Sequence, residues 1–298
     1  MALIHKLPVN LIIRTVLRPF RKLVPSKYHF AIDGTLKIDL TEGKQLIFHA
    51  NPTSNLLRVL YWYGIEGFEY KEYKVFVELA KKSKVFFDIG ANIGYYSIVA
   101  KIFNPKIEVH GFEPMPSAFK YFNINKALNN CKDISTHCLA LTDHKGEEHF
   151  YSNLNPRFPH IKDHLFGDNS LNEAATGNIS KIRIDVKTDT LDNFVADNLK
   201  QGQKIDLIKL DTESTEHLVM KGSHKVLFEH RPIIMCEVIK GFTEKEIASI
   251  LSNYNYAFFE VMPNGLKKVE KLIVKRGKND YFFVPEEKTN LVEGLIIK

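Results

Sequence analysis

The sequence predicts an α/β fold built on a doubly wound, mainly parallel sheet. Three observations carry that expectation. Short apolar runs alternate with helix-patterned segments from about residue 85 onward. The first run, Val85-Phe86-Phe87-Asp88-Ile89, is apolar at every position but Asp88, as a strand buried on both faces requires. It leads through Gly90-Ala91-Asn92-Ile93-Gly94 into a helix pattern at Ile98, Val99, Ile102 and Phe103. Strand, glycine turn and helix is how an open sheet offers backbone N–H groups and a helix N-terminus to a nucleotide-like ligand.

Length and composition agree. At 298 residues, 44% hydrophobic and 26% charged, the chain can bury one sizeable domain (residues 84–298) behind an N-terminal extension (residues 1–83). No apolar run approaches the length of a transmembrane helix. Cys131, Cys138 and Cys236 form no paired motif, so small buried thiols in a reducing compartment are expected. Of the net charge of +6, all resides in residues 1–32, where Lys6, Arg14, Arg18, Arg21, Lys22 and Lys27 meet no acid. The remaining 35 basic and 35 acidic side chains balance, so the charge says little about the domain's substrate.

Taken in order, residues 9–24 set Ile12, Val16, Phe20 and Leu23 near one helical face and Arg14, Arg18, Arg21 and Lys22 near another. Such a helix either lies on an anionic membrane or docks on its own domain with a solvated basic face. Pro8 and Pro19 restrict its continuity, and the apolar core of a signal peptide is missing. Residues 30–48 read as an antiparallel ribbon turning at Asp33-Gly34 and Glu42-Gly43. An apolar segment from Leu56 to Ile65 ends near Gly67, and the chain continues as a helix over Tyr73–Ala80. This pre-domain is expected to cover part of the ligand cleft.

Beyond the glycine turn, strands are expected at Ile107–Phe112, Ile134–Cys138, Ile182–Val186, Asp206–Leu210, Ile233–Val238, Tyr256–Val261 and Asp280–Val284. Helices are expected at Ser117–Leu128, Thr190–Leu199, Thr215–Glu229 and Glu244–Leu251. Residues 144–180 interrupt the rhythm with His, Asn and Pro and with Phe150, Tyr151, Phe158 and Phe166, and read as an irregular insertion that serves as lid or binding loop.

Two constellations carry chemistry. Glu113 ends the second strand 19 residues after Gly94, where a carboxylate can accept both hydroxyls of a ribose. The turn lacks the third glycine of a dinucleotide site, and Asp88 would repel a diphosphate while suiting an ammonium group. S-adenosylmethionine has that ammonium and a ribose diol and carries no phosphate. The second constellation is Asp211 and Glu213, at the carboxyl edge of a strand, with Glu237 ending the next. These acids can orient an acceptor hydroxyl and take its proton. They can equally hold Mg²⁺, and no metal site is assigned. Glu216, in a helix's first turn, either complements the helix dipole or serves the site, and His217 reads as a surface or packing histidine. His160 and His164 lack the glutamate of a zinc helix and read as a solvated loop. No nucleic-acid motif is present.

These residues resemble the FkbM family of S-adenosylmethionine-dependent methyltransferases. The resemblance rests on Phe87–Ser97, Phe112-Glu113-Pro114, Leu139-Ala140-Leu141, Thr190-Leu191-Asp192, Ile208–Glu216 and Glu237, in the family's order. It implies a class I methyltransferase sheet of seven strands, the last antiparallel. It also implies O-methylation of a sugar, glycan or secondary-metabolite alcohol. Asp88, Gly90, Ala91, Asn92, Gly94, Glu113 and Pro114 would hold the cofactor, Ala140 would line the adenine site, and Asp211, Glu213 and Glu237 would serve the acceptor. One departure is Ser214, where the family has glycine; a positive φ there would strain the serine.

Two other classes stay open on the residues alone. One is an NAD(P)-dependent oxidoreductase, disfavoured by Asp88 and the missing glycine. The other is a non-catalytic module held at a membrane by residues 9–24. The chain is expected in the cytoplasm, with peripheral contact at the inner face of a membrane.

Overall fold

The computed structural model describes residues 4, 6–165, 169–174, 181–241, 243–274 and 277–297. Its first helix, α1 (Leu7–Leu17), gives way at Pro19 to a 3-10 segment, Arg18–Leu23. Strands β1 (Gly34–Asp39) and β2 (Gln45–Ala50) form the expected antiparallel ribbon, with Gly34 opposite Ala50. Helix α2 (Asn55–Tyr63) starts at Ser54, whose side chain accepts from the Leu57 N–H, and α3 (Tyr70–Ala80) follows.

The chain then alternates through β3 (Val85–Ile89), α4 (Tyr95–Phe103), β4 (Glu108–Phe112), α5 (Pro116–Leu128) and β5 (Ser135–His137). Next come β6 (Ala140–Leu141), β7 (Gly146–Asn153), β8 (Lys181–Asp189), α6 (Leu191–Asn198) and β9 (Leu207–Leu210). The last part holds α7 (Glu216–Lys221), β10 (Ile233–Ile239), α8 (Glu244–Leu251), β11 (Tyr256–Met262), β12 (Gly265–Val269) and β13 (Lys278–Pro285).

Among the described residues the main sheet runs β12-β11-β13-β10-β9-β3-β4-β5. The pairs from β10 to β5 are parallel, and β13 lies antiparallel between β10 and β11. Seven strands thus follow the expected order, the last in sequence being the antiparallel one. The eighth, β12, hairpins onto β11 at the sheet's edge. Lys267 and Lys268 face solvent there, so this strand lacks an apolar signature, and its charges protect the edge.

Four further expectations change. The 144–180 segment is not wholly irregular: β7 begins within it and pairs with β8 and, through it, β6 in a separate three-stranded sheet. Most of its early residues face solvent, which hid the strand, and Ile182–Val186 belongs to this sheet rather than the main one. Phe166 lies outside the described residues. The helix expected over 215–229 is interrupted at Gly222 and Ser223 and resumes at His224; Gly222 lies against the Thr142 carbonyl with no room for a side chain. A π-type turn, Val226–His230, follows. Cys131 and Cys236 are buried as expected, whereas Cys138 is exposed. His164 is not solvated: it is buried and accepts from the Asn155 N–H at 3.1 Å.

Helix α1 overturns the reading of an apolar face docked on the domain. Its buried residues are Asn10 and Arg14, while Ile12, Val16, Phe20 and Leu23 point outward. Ile13 and Leu17 give only partial apolar contact with the core beneath. That core is shared by β1, β2, α2 and α3 with one face of the main sheet, through residues such as Phe48, Trp62, Phe76, Phe86 and Ile98. The pre-domain is therefore fixed over the sheet, next to the strand ends.

Candidate active site

Strands β3 and β9 are neighbours, yet the chain leaves them in opposite directions across the sheet, so a cleft opens at their carboxyl ends. The pre-domain and the insertion roof it, leaving a cavity of about 970 Å³. Asp88, Gly90, Ala91, Asn92, Glu113, Pro114, Ala140, Asp211 and Glu213 all line it. Gly94 and Glu237 do not line it.

The glycine turn works differently from the expectation that its N–H groups face a ligand. Gly90 and Ala91 donate to the Phe112 carbonyl at 3.0 and 2.9 Å, and Gly94 donates to the Ala91 carbonyl at 2.8 Å. The Asn92 N–H donates to Glu113 Oε2 at 2.8 Å. The turn folds back on the end of β4 and spends its donors there. Gly90, at φ 82°, packs on the Asp211 carbonyl so closely that any Cβ would overlap it. Gly94, at φ 88°, is held the same way against the Phe122 ring, so it packs α5 onto the turn instead of touching a ligand.

Asp88 occupies the helix N-terminus that a phosphate would need. Its Oδ2 accepts from the Ser97 N–H at 2.9 Å and the Ser97 hydroxyl at 2.6 Å, in the first turn of α4. Its Oδ1 is buried in the cavity wall with no partner. Burial raises the Asp88 carboxyl, against the pull of Lys209 and the Ser97 bonds. A ligand ammonium would satisfy that oxygen and favour its ionised form. Glu113 accepts from the Asn92 and Met115 N–H groups, each at 2.8 Å, and burial pushes its pKa up to about 7. Each oxygen keeps a lone pair for a hydroxyl donor.

On the β9 side, Lys209 Nζ lies 2.8 Å from Asp211 Oδ2 and 5.1 Å from the centre of the Tyr96 ring. Burial alone would lower the Lys209 ammonium, but Asp211, Asp88 and Glu69 outweigh it and raise it. Glu69, at φ 43° just ahead of α3, accepts from the Tyr96 hydroxyl at 2.8 Å. Burial outweighs the nearby lysine and pushes Glu69 up to about 7. One carboxylate oxygen each from Asp211, Glu213 and Glu237 lies within 4.8 Å of the others, so Glu237 joins the pair from behind the cavity wall.

The loop carrying Glu213 is strained and clamped. Glu213 has φ 52° and Ser214 φ 83°, so the serine does occupy the left-handed region that favours glycine. Glu216 holds the turn from inside: its Oε1 accepts from the Thr212 and Ser214 N–H groups at 2.8 and 3.2 Å. Burial pushes Glu216 up to about 7. The insertion holds the turn from outside, Ser170 donating to the Glu213 carbonyl at 2.6 Å and Asn172 to Ser214 Oγ at 3.0 Å. Asn51, Thr53 and Ser117 pin the insertion in turn.

Sequence reasoning missed Lys209 and Glu69. A signal for Lys209 existed, a lone charge inside the buried run Leu207–Leu210. Glu69 had none, because only the packing of the pre-domain brings it to the cavity. The assembled site offers a buried, unpartnered carboxylate oxygen and a second carboxylate with free lone pairs. It offers no cradle of free N–H groups among the turn residues 90–92 and 94. That chemistry fits a ligand with an ammonium group and a diol and disfavours a diphosphate.

Residues 88–258 match the family described as the methyltransferase FkbM domain. The chain is 25% identical, over 208 residues, to Methyltransferase 1 of Beauveria bassiana (strain ARSEF 2860), a match that covers 63% of this chain and 80% of that protein. Among solved structures it resembles M. jannaschii TYW2 in complex with AdoMet, at 12% identity and TM-score 0.44, over 85% of this chain and 86% of that one. It also resembles the O-methyltransferase from Bacillus cereus in complex with SAH, at 11% identity and TM-score 0.39, over 72% and 78% of the two chains.

Proposed function

The chain belongs to the FkbM family of S-adenosylmethionine-dependent methyltransferases, and on that premise we propose that it methylates a hydroxyl of a sugar, glycan or secondary-metabolite alcohol. The observation that carries the proposal is the continuity of one cavity from Asp88 and Glu113 to Asp211 and Glu213. When bound, S-adenosylmethionine supplies a methyl group activated by the positive sulfur. Asp88 would hold the ammonium on Oδ1, Glu113 would accept the ribose hydroxyls, and Ala140 would pack beside the base.

Asp211 and Glu213 act on the acceptor. They would orient the acceptor hydroxyl toward the methyl group of the bound donor and take up the proton that the hydroxyl loses. Lys209 keeps Asp211 oriented through the 2.8 Å ion pair. Glu237 braces the two acids from behind, and the trio's spacing also suits a divalent cation. The reading includes peripheral contact of residues 9–24 with a membrane surface and no nucleic-acid partner. Among the described residues, no helix is long and apolar enough to cross a membrane.

Methyl-labelled S-adenosylmethionine, screened against glycan and small-alcohol acceptors with and without chelator, tests the proposal. Label is expected in an ether-forming acceptor. Asp211→Asn should lower turnover by about a hundredfold with little change in S-adenosylhomocysteine affinity. Label transferred only to amines or thiols would refute it.

A further inference from the structure

Helix α1 is mounted inside out. Burying Asn10 and Arg14 is costly unless their polar atoms are bonded, and they are. Asn10 Nδ2 donates to the Ile4 and Ala31 carbonyls at 3.1 and 2.9 Å, and its Oδ1 accepts from the Asp33 N–H at 3.3 Å. The Arg14 guanidinium donates to the Asp33 and Thr35 carbonyls at 3.1 and 2.9 Å. The Tyr61 hydroxyl donates to the Arg14 carbonyl at 2.8 Å. These bonds fix the helix with its apolar residues outward. Ile12 and Val16 are each 64% exposed, Phe20 58% and Leu23 79%. Four large apolar side chains exposed within twelve residues are the composition of an interaction surface.

Charge selects the occupant. Arg18, Arg21, Lys22 and Lys27 flank the patch, and residues 1–32 contain no Asp or Glu. A second copy of this face would bring like charges together. Exposed apolar side chains in a segment whose only charges are cationic match a bilayer containing anionic lipid.

The same segment forms the mouth of the cavity. The Ala31 carbonyl that Asn10 holds belongs to a wall residue, as do Lys27 and Tyr28. Apart from Lys209, which is buried against Asp211, the cations that line the cavity keep solvent contact. Asp88 and Glu113 are buried at its floor, whereas Lys27 and Arg157 are exposed and Arg58 is half-buried. A bilayer against α1 therefore adjoins a cationic opening that leads to the acids.

We infer that the protein docks on an anionic bilayer through the outward face of α1, and that its acceptor hydroxyl belongs to a phosphate-bearing lipid head group entering past Lys27, Arg58 and Arg157. The second clause rests on the methyl-transfer reading above. It names the acceptor as lipid-borne.

The test uses the full chain with phosphatidylcholine vesicles, with and without phosphatidylglycerol. The protein should float only with the anionic vesicles. The double variant Ile12→Asp, Val16→Asp should lower the bound fraction by about tenfold while binding S-adenosylhomocysteine as the parent does. Hydrogen exchange should show residues 27–31 and 155–158 protected on anionic vesicles and unprotected by millimolar glycerol 3-phosphate in free solution. No flotation, equal flotation of the variant, or a dimer that the variant dissolves overturns the docking. Flotation without protection of the mouth overturns the lipid-borne acceptor, as does equal protection by free glycerol phosphate. Failure of the parent to bind S-adenosylhomocysteine refutes the methyl-transfer reading alone, since flotation does not depend on it.

Discussion

Lys209 and Asp211 lie two residues apart at the end of β9, so their side chains emerge on the same side of the chain and meet at 2.8 Å. The lysine also stands over Tyr96 and balances Asp88 and Glu69. One buried cation thus serves acids from β3, β9 and the pre-domain. It links the Asp88 side of the cavity to the Asp211 side.

Removing that cation should be costly. Lys209→Met leaves Asp88 and Asp211 facing each other without compensation, and a broken buried pair costs several kcal/mol. Because Asp211 keeps some solvent contact, we expect a loss of about 2–4 kcal/mol, read from urea unfolding. A change under about 0.5 kcal/mol would mean that the pair contributes little.

Gly90 should tolerate no side chain. Its φ of 82° and the Asp211 carbonyl both exclude a Cβ, whereas Gly202 has a φ of 81° and open space around it. Gly202→Ala should cost about 1–2 kcal/mol from conformation alone. Gly90→Ala should cost at least about 2 kcal/mol more and shift Asp211. Equal losses in unfolding experiments would show that the close approach does not matter.

Glu216 gives a pH dependence whose sign is fixed. Its folded pKa, pushed up to about 7, exceeds the unfolded value of about 4.5. The folded state therefore holds the proton more tightly. The stability this group contributes is fully present below about pH 4.5 and is lost as pH rises through about 7. Glu216→Gln, which cannot ionise, should gain on the parent by on the order of 2 kcal/mol between pH 5 and 8. A difference that stays flat across that range would contradict the assignment.

Ser214 bears strain that glycine would relieve. At φ 83° the serine costs about 1 kcal/mol, partly offset by its bond from Asn172. Ser214→Gly should raise the unfolding free energy slightly, by up to about 1 kcal/mol. Asn172→Ala should lower it. A destabilised glycine variant would mean that the insertion's clamp outweighs the backbone strain.

The α/β order was legible because Val85–Ile89, Leu207–Leu210 and Ile233–Val238 are each apolar but for one charge and lie between helix patterns. Asp88, Glu113 and Asp211 stood out as carboxylates at strand ends. What escaped depends on three-dimensional neighbours. Gly94 read as a ligand contact, yet the Phe122 ring from α5 is what requires a glycine there. β12 and the first half of β7 lack alternation because successive residues, Lys267 and Lys268 in one and Gly146 to His149 in the other, are all exposed. The face of α1 read correctly as amphipathic, but its orientation was decided by carbonyls at Ala31, Asp33 and Thr35 that capture Asn10 and Arg14.

In the proposed reaction Asp88 and Glu113 hold the methyl donor. Calorimetric titration of S-adenosylhomocysteine into the parent and into Asp88→Asn tests it most directly. The parent should bind one equivalent with micromolar affinity, and Asp88→Asn should bind about 10–100-fold more weakly with its fold intact by circular dichroism. No binding heat from folded parent protein, or unchanged affinity in Asp88→Asn, would contradict it.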